Sequence, residues 1–243
     1  MDVQQSQQQP AAADMRVITI SREYGSGGGE IAARLAQQLD WELGDHAVVE
    51  RMAQELGIAP EEAEARDEHV EGLVVRMLAT LQVVGPVPVE LAPTPEAEDR
   101  AAMERIFQAA VEAGHAVMVG RGGQVILSGR RDTLHVRVVA PFEQRVAYVA
   151  RREALDERAA RSRVQAKDHD RARYMQTIYR CHNEDPHLYD VVVNTGYLGL
   201  DGAVDVIARA LECKARLLHA PESALGPAAG IGRYPGVTKQ ENT

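Results

Sequence analysis

The densest run of glycine in the chain lies between a short hydrophobic run and an amphipathic segment. Residues 16–20 are mostly β-branched and predict a buried strand. Ile31, Leu35 and Leu39 recur at the spacing of one helical face. Between them, residues 21–29 read SREYGSGGG, and we call this segment the glycine loop. The order of strand, glycine loop and helix restricts the chain to the folds that begin in this way.

The glycine loop predicts the binding of an anion. Glycine allows positive φ angles and a close approach of the backbone to a ligand. The N–H groups and the dipole at the start of a helix both favour negative charge, so a phosphate chain is the natural guest. The alternative is a flexible surface loop. The residues predicted to bind the nucleotide cofactor are Tyr24, Gly25, Ser26, Gly27, Gly28, Gly29 and Glu30.

Two phosphate-binding patterns compete for this loop. Residues 27–32 satisfy the dinucleotide pattern G-x-G-x-x-A, but six residues separate the predicted strand from its first glycine. A long loop before the helix is instead typical of a P-loop, yet the lysine of the pattern G-x-x-x-x-G-K-[ST] is absent. The pattern alone therefore predicts an anion-binding loop. A nicotinamide-dependent enzyme stays an alternative, which a titration of NADH fluorescence would test.

Strands and helices alternate along the rest of the chain. Apolar runs predict a short strand at 41–43 and longer strands at 115–119, 133–140 and 189–194. This alternation predicts an α/β fold, with a parallel sheet covered by helices on both faces. Ligands of such sheets bind at the carboxyl ends of the strands. The glycine loop and residues 120–123, GRGG, are therefore expected at one functional edge.

Composition excludes several classes of protein. Asp and Glu number 36 against 27 Lys and Arg, a net charge of −9, so nucleic acid is not an expected partner. Two cysteines without metal-type spacing suggest a reducing compartment, and we expect a cytoplasmic protein with no metal site of its own. No apolar run approaches the roughly 20 residues of a membrane helix. Residues 1–14 and 220–243 read as disordered tails around a domain at 15–219.

Residues 151–180 concentrate positive charge. They contain nine Arg and Lys against five Asp and Glu, so this segment is +4 in a chain of −9. Such a concentration suits a phosphoryl group in transfer, whose transition state spreads negative charge over its oxygens. The alternative is a solvated helix in which many of these charges form ion pairs one turn apart.

Several blocks of the sequence, in order, resemble the cytidylate kinase-like proteins, relatives of bacterial cytidylate kinase. The blocks are residues 18–32, Asp45, and residues 119–123, 135–141, 170–174 and 185–195. The resemblance implies a P-loop nucleoside monophosphate (NMP) kinase with a five-stranded parallel sheet. It also implies a helical NMP-binding insertion at 45–100 and a mobile basic lid at 151–180. The implied reaction is phosphoryl transfer from ATP to CMP or dCMP with Mg²⁺, the nucleotides being its small-molecule partners.

The resemblance extends to the glycine loop, which departs from the family pattern. Cytidylate kinases carry G-x-x-G-x-G-K-G-[ST], and Gly25 and Gly27 match the middle of this pattern. Arg22 stands at the first glycine, Gly28 at the lysine and Glu30 at the hydroxyl. The backbone cradle is therefore kept, while the lysine that reaches the phosphates and the hydroxyl that holds Mg²⁺ are absent. We hypothesise that Arg22 supplies the missing charge.

The resemblance also implies residues that bind the acceptor phosphate. Asp45 and Arg51 have the six-residue spacing of the monophosphate-binding helix of cytidylate kinases. Arg121 matches the arginine of the family's Gly-Arg-Asp, although Gly122 replaces the aspartate. An arginine suits a phosphate because its planar fork donates two hydrogen bonds. The alternatives are a helix cap at Asp45 and solvated arginines at the other two positions.

The predicted lid supplies the remaining candidates. The family motif Asp-x-x-Arg is matched by Asp170 and Arg173, while its upstream arginine falls at Ala166. We expect Arg152 and Arg173 to close over the reaction, with Asp170 positioning them or a nucleobase. The predicted catalytic residues are thus Arg22, Arg152, Asp170 and Arg173. The alternative function is a nucleotide-binding sensor that kept the cradle and lost efficient transfer.

Overall fold

A parallel sheet of five strands forms the centre of the part of the chain that the structure describes. This is a computed structural model in which residues 12–44 and 95–226 are described. The strands are β1 Val17–Arg22, β2 Glu42–Gly44, β3 Ala116–Val119, β4 Thr133–Val139 and β5 Val191–Asn194. Their order in the sheet is β2-β3-β1-β4-β5, and each neighbouring pair is parallel. The predicted five-stranded parallel α/β fold is confirmed.

Helices connect the strands and cover both faces of the sheet. They are α1 Gly28–Leu39, α2 Pro95–Ala113, α3 Gly123–Ile126, α4 Phe142–Arg152, α5 Glu157–Tyr179 and α6 Thr195–Arg216. Short 3₁₀ turns lie at Ala12–Asp14, Pro186–Leu188 and Glu222–Ala224. Within these described ranges, none of the helices has both the length and the apolar character to cross a membrane.

The two faces of the sheet differ in polarity near its carboxyl edge. Ile18 and Ile20 of β1 are fully buried and pack in one core with α1 and α6. Val17 faces the opposite side and packs with α2. Because side chains alternate along a strand, Thr19 and Ser21 share the face of Val17. That second face therefore carries buried polar groups towards the carboxyl end of β1.

One of these polar groups joins β1 to β4. The Thr19 hydroxyl lies 2.7 Å from Nδ1 of His135, and Nε2 of His135 lies 3.2 Å from the Leu127 carbonyl oxygen. Burial lowers the pKa of His135, so the ring is neutral, with Nε2–H donating to Leu127 and Nδ1 accepting from Thr19. This histidine therefore adds a side-chain link between β1 and β4 to their backbone pairing.

The glycine loop is shorter in the structure than in the sequence prediction. Strand β1 continues through Arg22 because Ser21 and Arg22 still pair with Arg137 and Val138 of β4. Helix α1 begins at Gly28, two residues before the predicted start. Only residues 23–27 therefore lie outside regular structure.

The predicted basic lid at 151–180 contains a turn, since it covers the last two residues of α4, residues 153–156 and all of α5. The Asp156 side chain caps α5 by accepting from the Ala159 N–H at 2.7 Å. The two helices pack through Val146, Val149 and Val164. We call α4 and α5 together the basic hairpin. It is a hairpin with its own small apolar core.

The last helix, α6, begins at Thr195 and has a break at Gly199, whose φ is 66°. The predicted tail at 1–14 ends in the 3₁₀ turn at Ala12–Asp14. Asp45, Arg51 and most of the predicted insertion at 45–100 lie outside the described residues.

Candidate functional site

The end of the glycine loop presents backbone N–H groups at the start of α1. Gly27 precedes the helix with a φ of 83°, and no side chain caps this end. The N–H groups of Gly28, Gly29 and Glu30 belong to the first helical turn and so have no acceptor within the helix. Together with the helix dipole, these groups make an anion-binding surface at the carboxyl end of β1.

Side chains fix the loop to the rest of the sheet. The Ser26 hydroxyl, which is buried, lies 2.9 Å from the Glu23 carbonyl oxygen and 3.2 Å from that of Val138. The Thr195 hydroxyl donates to the Ser26 carbonyl oxygen at 2.8 Å. Ser26 therefore offers a ligand its backbone, while its side chain holds the loop in shape.

The side chain of Arg22 runs over the start of α1. A Cβ atom added to Gly28 would lie 2.6 Å from Cβ of Arg22 and 3.0 Å from its Cγ. A Cβ atom on Gly120 would collide with Nη1 of Arg22. The side chain thus extends from the first turn of α1 to the end of β3. It fills the space that any side chain at position 28 would need.

Arg121 lies in a tight left-handed turn at the end of β3. Gly120, Arg121 and Gly122 have φ angles of 81°, 54° and 78°. The Tyr179 hydroxyl donates to the Arg121 carbonyl oxygen at 2.9 Å, and the guanidinium lies 5.8 Å from the centre of the Tyr174 ring. A non-glycine residue rarely adopts a positive φ, so this turn is held in place by α5.

A buried ion pair attaches the loop to the basic hairpin. The Tyr24 N–H donates to Asp168 at 2.8 Å, and Nη1 of Arg145 donates to the Tyr24 carbonyl oxygen at 3.1 Å. Arg145 pairs with Asp168 at 2.5 Å and with Glu23 at 3.3 Å, and its side chain is 7% exposed. Because both charges are paired, this network holds the first half of the loop firmly.

The ring of Tyr24 also faces the basic hairpin. Its hydroxyl donates to Glu153, and burial together with this carboxylate raises the pKa of Tyr24 to about 12. The tyrosine therefore stays protonated at neutral pH. The Arg171 guanidinium lies 5.2 Å from the centre of the ring.

Glu30 and Arg152 meet across the open side of the loop. Nη1 of Arg152 lies 2.7 Å from a carboxylate oxygen of Glu30, which also accepts from the Tyr148 hydroxyl. The Arg152 side chain is 60% exposed. Exposed ion pairs are worth about 0–1 kcal/mol, so a phosphate would compete readily for this arginine.

The structure does not bring Asp170 and Arg173 to the loop. Both are exposed on the outer side of α5, and Nη2 of Arg173 lies 3.0 Å from Nε2 of His169. Asp168 and Arg171 contact the loop instead. Of the predicted catalytic residues, Arg22 and Arg152 lie at the loop.

Sequence reasoning missed residues that periodicity identifies. Val164 and Met175 are buried on the inner face of α5, and positions 168 and 171 share that face at spacings of four, three and four. On β4, His135 and Arg137 alternate with buried apolar positions. A charged residue inside such a buried strand is the signal that would have singled out Arg137.

Comparison with known proteins assigns the family. The model of the Cytidylate kinase-like family matches residues 17–197. The chain belongs to this family. The matched region runs from β1 to the start of α6 and includes the glycine loop, the turn at Arg121 and the basic hairpin.

Individual relatives are distant. The chain is 26% identical over 199 residues to a cytidylate kinase of Thermococcus kodakarensis, covering 81% of this chain and 88% of that protein. It is 28% identical over 118 residues to a cytidylate kinase of Methanopyrus kandleri, covering 45% of this chain and 61% of that protein. A uronate isomerase of Corynebacterium glutamicum is 32% identical over 91 residues, covering 37% of this chain and 18% of the isomerase. The matches thus span less than two thirds of the latter two proteins.

A solved structure shares the fold. The crystal structure of an uncharacterized protein from Eubacterium ventriosum is similar with a TM-score of 0.58 and 21% sequence identity. The similarity covers 81% of this chain and 98% of that one. It supports the architecture of the sheet and helices, and the chemistry of the site is argued from the residues themselves.

Proposed function

We propose that the protein transfers the terminal phosphoryl group of ATP to CMP or dCMP. Membership of the cytidylate kinase-like family supports a phosphotransferase. The observation that carries the proposal is the side chain of Arg22, which lies against Gly28 at the start of α1. It brings a permanent positive charge to the turn where cytidylate kinases have a lysine.

In this proposal the glycine loop binds the phosphates of ATP. The backbone of residues 24–30 supplies N–H donors, and Arg22 supplies the charge that reaches the phosphate oxygens. Phosphoryl transfer asks for little covalent chemistry, so positioning and charge stabilisation provide most of the rate. Donors that are already in place before the reaction cost no reorganisation during it.

Glu30 is the residue that suits Mg²⁺ at this loop. The described residues contain no group of three or more His, Cys, Asp or Glu able to hold a metal ion by itself. Mg²⁺ prefers oxygen ligands and keeps several waters, so one carboxylate plus the phosphates of ATP would hold it. The bound ion would neutralise charge on the phosphates, and Glu30 would exchange its ion pair with Arg152 for the metal.

The acceptor phosphate is proposed to bind Arg121, with Asp45 and Arg51 from the insertion. Arg121 lies at the correct edge of the sheet, at the end of β3. Arg152 would move from Glu30 to the transferred group. Asp170 and Arg173 face solvent, so their predicted role in the lid at 151–180 requires a rotation of α5 towards the loop.

An alternative is a nucleotide-binding sensor that no longer catalyses transfer efficiently. The absence of both the lysine and the hydroxyl of the family pattern favours it, because these groups act on the transferred phosphate and on Mg²⁺. Both functions predict binding of ATP, and they differ in turnover.

A coupled assay with ATP, Mg²⁺ and each nucleoside monophosphate separates the two. The kinase proposal expects ADP to form with CMP or dCMP and more slowly with the other monophosphates. ATP binding by calorimetry with no turnover on any monophosphate would favour the sensor. If ATP does not bind at all, both proposals fail.

A further inference from the structure

Arg137 is a buried cation without a carboxylate partner. It lies on β4 with 5% of its surface exposed and faces the same side of the sheet as Ser21. Its Nη1 donates to the Ser21 hydroxyl oxygen at 3.3 Å, and its guanidinium lies 5.8 Å from the centre of the Tyr189 ring. Within the described ranges, no Asp or Glu comes within ion-pair distance of it.

Arg171 on α5 also lacks a carboxylate partner among the described residues, and it is less buried than Arg137. Its Nη1 donates to the main-chain carbonyl oxygen of Arg22 at 3.3 Å, and in the described chain it also forms no ion pair. Burial lowers the pKa of Arg171, the nearby Asp168 raises it, and the charges of Arg145 and Arg137 lower it. Arg171 therefore lies close enough to Arg137 and Arg145 to interact with their charges.

In the described part of the chain, Arg145 differs from Arg137 and Arg171 in its pairing. Arg145 is about as buried as Arg137, yet it contacts two carboxylates. A buried charge is normally paired, because moving it out of water costs free energy and only a partner offsets that cost. Among the described residues, two guanidinium groups near the end of β1 therefore lack a carboxylate partner, and an anion between them would offset the cost of their burial.

We propose that Arg137 and Arg171 add two further arginines to the acceptor-phosphate subsite proposed above at Arg121, Asp45 and Arg51. This inference rests on the proposed function, because it places an acceptor opposite the glycine loop. Ser21 and Arg137 lie on the α2 face of the sheet, whereas the loop amides begin α1 on the other face. Arg171 reaches the carbonyl oxygen of Arg22 between them.

This placement suits a direct transfer. An acceptor phosphate held by Arg137 and Arg171 would lie across the end of β1 from a donor phosphate at the loop amides. Two guanidinium groups also hold the acceptor in one orientation, which is the main demand of phosphoryl transfer. The Ser21 hydroxyl oxygen orients the Arg137 fork by accepting one of its N–H groups.

The test compares Arg137→Met with Arg145→Met, two buried arginines that differ in pairing. Thermal unfolding is measured without ligand and with inorganic phosphate, CMP or ATP. We expect ligand-free Arg137→Met to melt no lower than the wild type, because it loses an unpaired charge. Arg145→Met should melt lower, because it leaves Asp168 and Glu23 unpaired.

Phosphate and CMP should stabilise the wild type and bind Arg137→Met about 10- to 100-fold more weakly, while ATP binding is retained.

Arg171→Met provides a second measurement at a less buried position. It should also weaken CMP binding by about tenfold or more, and unchanged CMP binding in either variant would overturn the subsite. A ligand-free Arg137→Met protein that melts as low as Arg145→Met, or does not fold, would show a structural arginine and also overturn it. If phosphate stabilises the wild type and CMP does not, the acceptor assignment is wrong. These readouts need no turnover, so failure of the kinase assay alone leaves them intact.

Discussion

The Cβ atom of Arg22 lies 2.6 Å from the place that a Cβ atom on Gly28 would take. In the cytidylate kinase loop pattern these two positions carry glycine and lysine, in that order. In this chain they carry arginine and glycine. The two side chains exclude each other, so a chain with arginine at the end of β1 requires glycine at the start of α1. In the proposed site the positive charge has moved from the helix to the strand.

Restoring the family lysine alone should therefore harm the protein. Gly28→Lys places its Cβ against the aliphatic part of the Arg22 side chain, and overpacking of this kind costs about 1–3 kcal/mol. Urea unfolding should show a lower stability, and calorimetry should show weaker ATP binding. The double variant Gly28→Lys with Arg22→Gly removes the clash and should recover both. A single variant as stable as the wild type would contradict the exclusion of the two side chains.

Loss of the Arg22 charge should reduce turnover. In the proposed site, Arg22→Ala removes a donor to the transferred phosphate, and the loss of such a donor lowers the rate by about 100- to 1,000-fold. Arg22→Lys keeps the charge without the planar fork and should be intermediate. The control is Arg34→Ala, an exposed arginine of α1 paired with Asp201. Steady-state kinetics with ATP and CMP measure the effect, and equal rates in wild type and Arg22→Ala would remove Arg22 from the mechanism.

The hydrogen bond from Thr195 to the glycine loop should contribute to the free energy of unfolding. Thr195→Val removes the donor to the Ser26 carbonyl oxygen, and an unsatisfied buried acceptor costs about 1–3 kcal/mol. The matched control is Thr133→Val, because the buried Thr133 hydroxyl has no hydrogen-bond partner among the residues that the structure describes. Chemical denaturation should find Thr195→Val less stable and Thr133→Val unchanged or more stable. The reverse order would mean that the hydroxyl of Thr195 does not hold the loop.

Mild acid should destabilise the fold through His135. Burial lowers the pKa of this histidine below the ordinary value of 6.5, so the unfolded chain takes up a proton more readily than the folded one. Its contribution to stability is present above that value and is lost as the pH falls. Melting temperatures between about pH 7.5 and 5 should decline less steeply for His135→Gln than for the wild type. His187→Gln, at an exposed position, should follow the wild type.

Local patterns were sufficient for the architecture. The alternation of β-branched runs with amphipathic segments predicts strands and helices because a strand repeats every two residues and a helix every 3.6. The glycine loop also follows from the sequence, since glycine adopts most readily the φ angles of 78° and 83° seen at Gly25 and Gly27. The predicted ends of this loop were each wrong by two residues. Pairing with β4 extends β1 to Arg22, and α1 already begins at Gly28.

Side-chain direction was decided by the tertiary structure. The sequence placed Arg152, Asp170, Arg171 and Arg173 in one basic stretch, and only the packing of α5 on the sheet separates Arg171 from the exposed pair beside it. The match between Arg22 and Gly28 also involves a strand and a helix that meet through the loop. A sequence determines which residues recur on a common face, because that depends on backbone geometry alone. Which face meets which partner depends on how all the elements pack, and this is where the charges of the site are assembled.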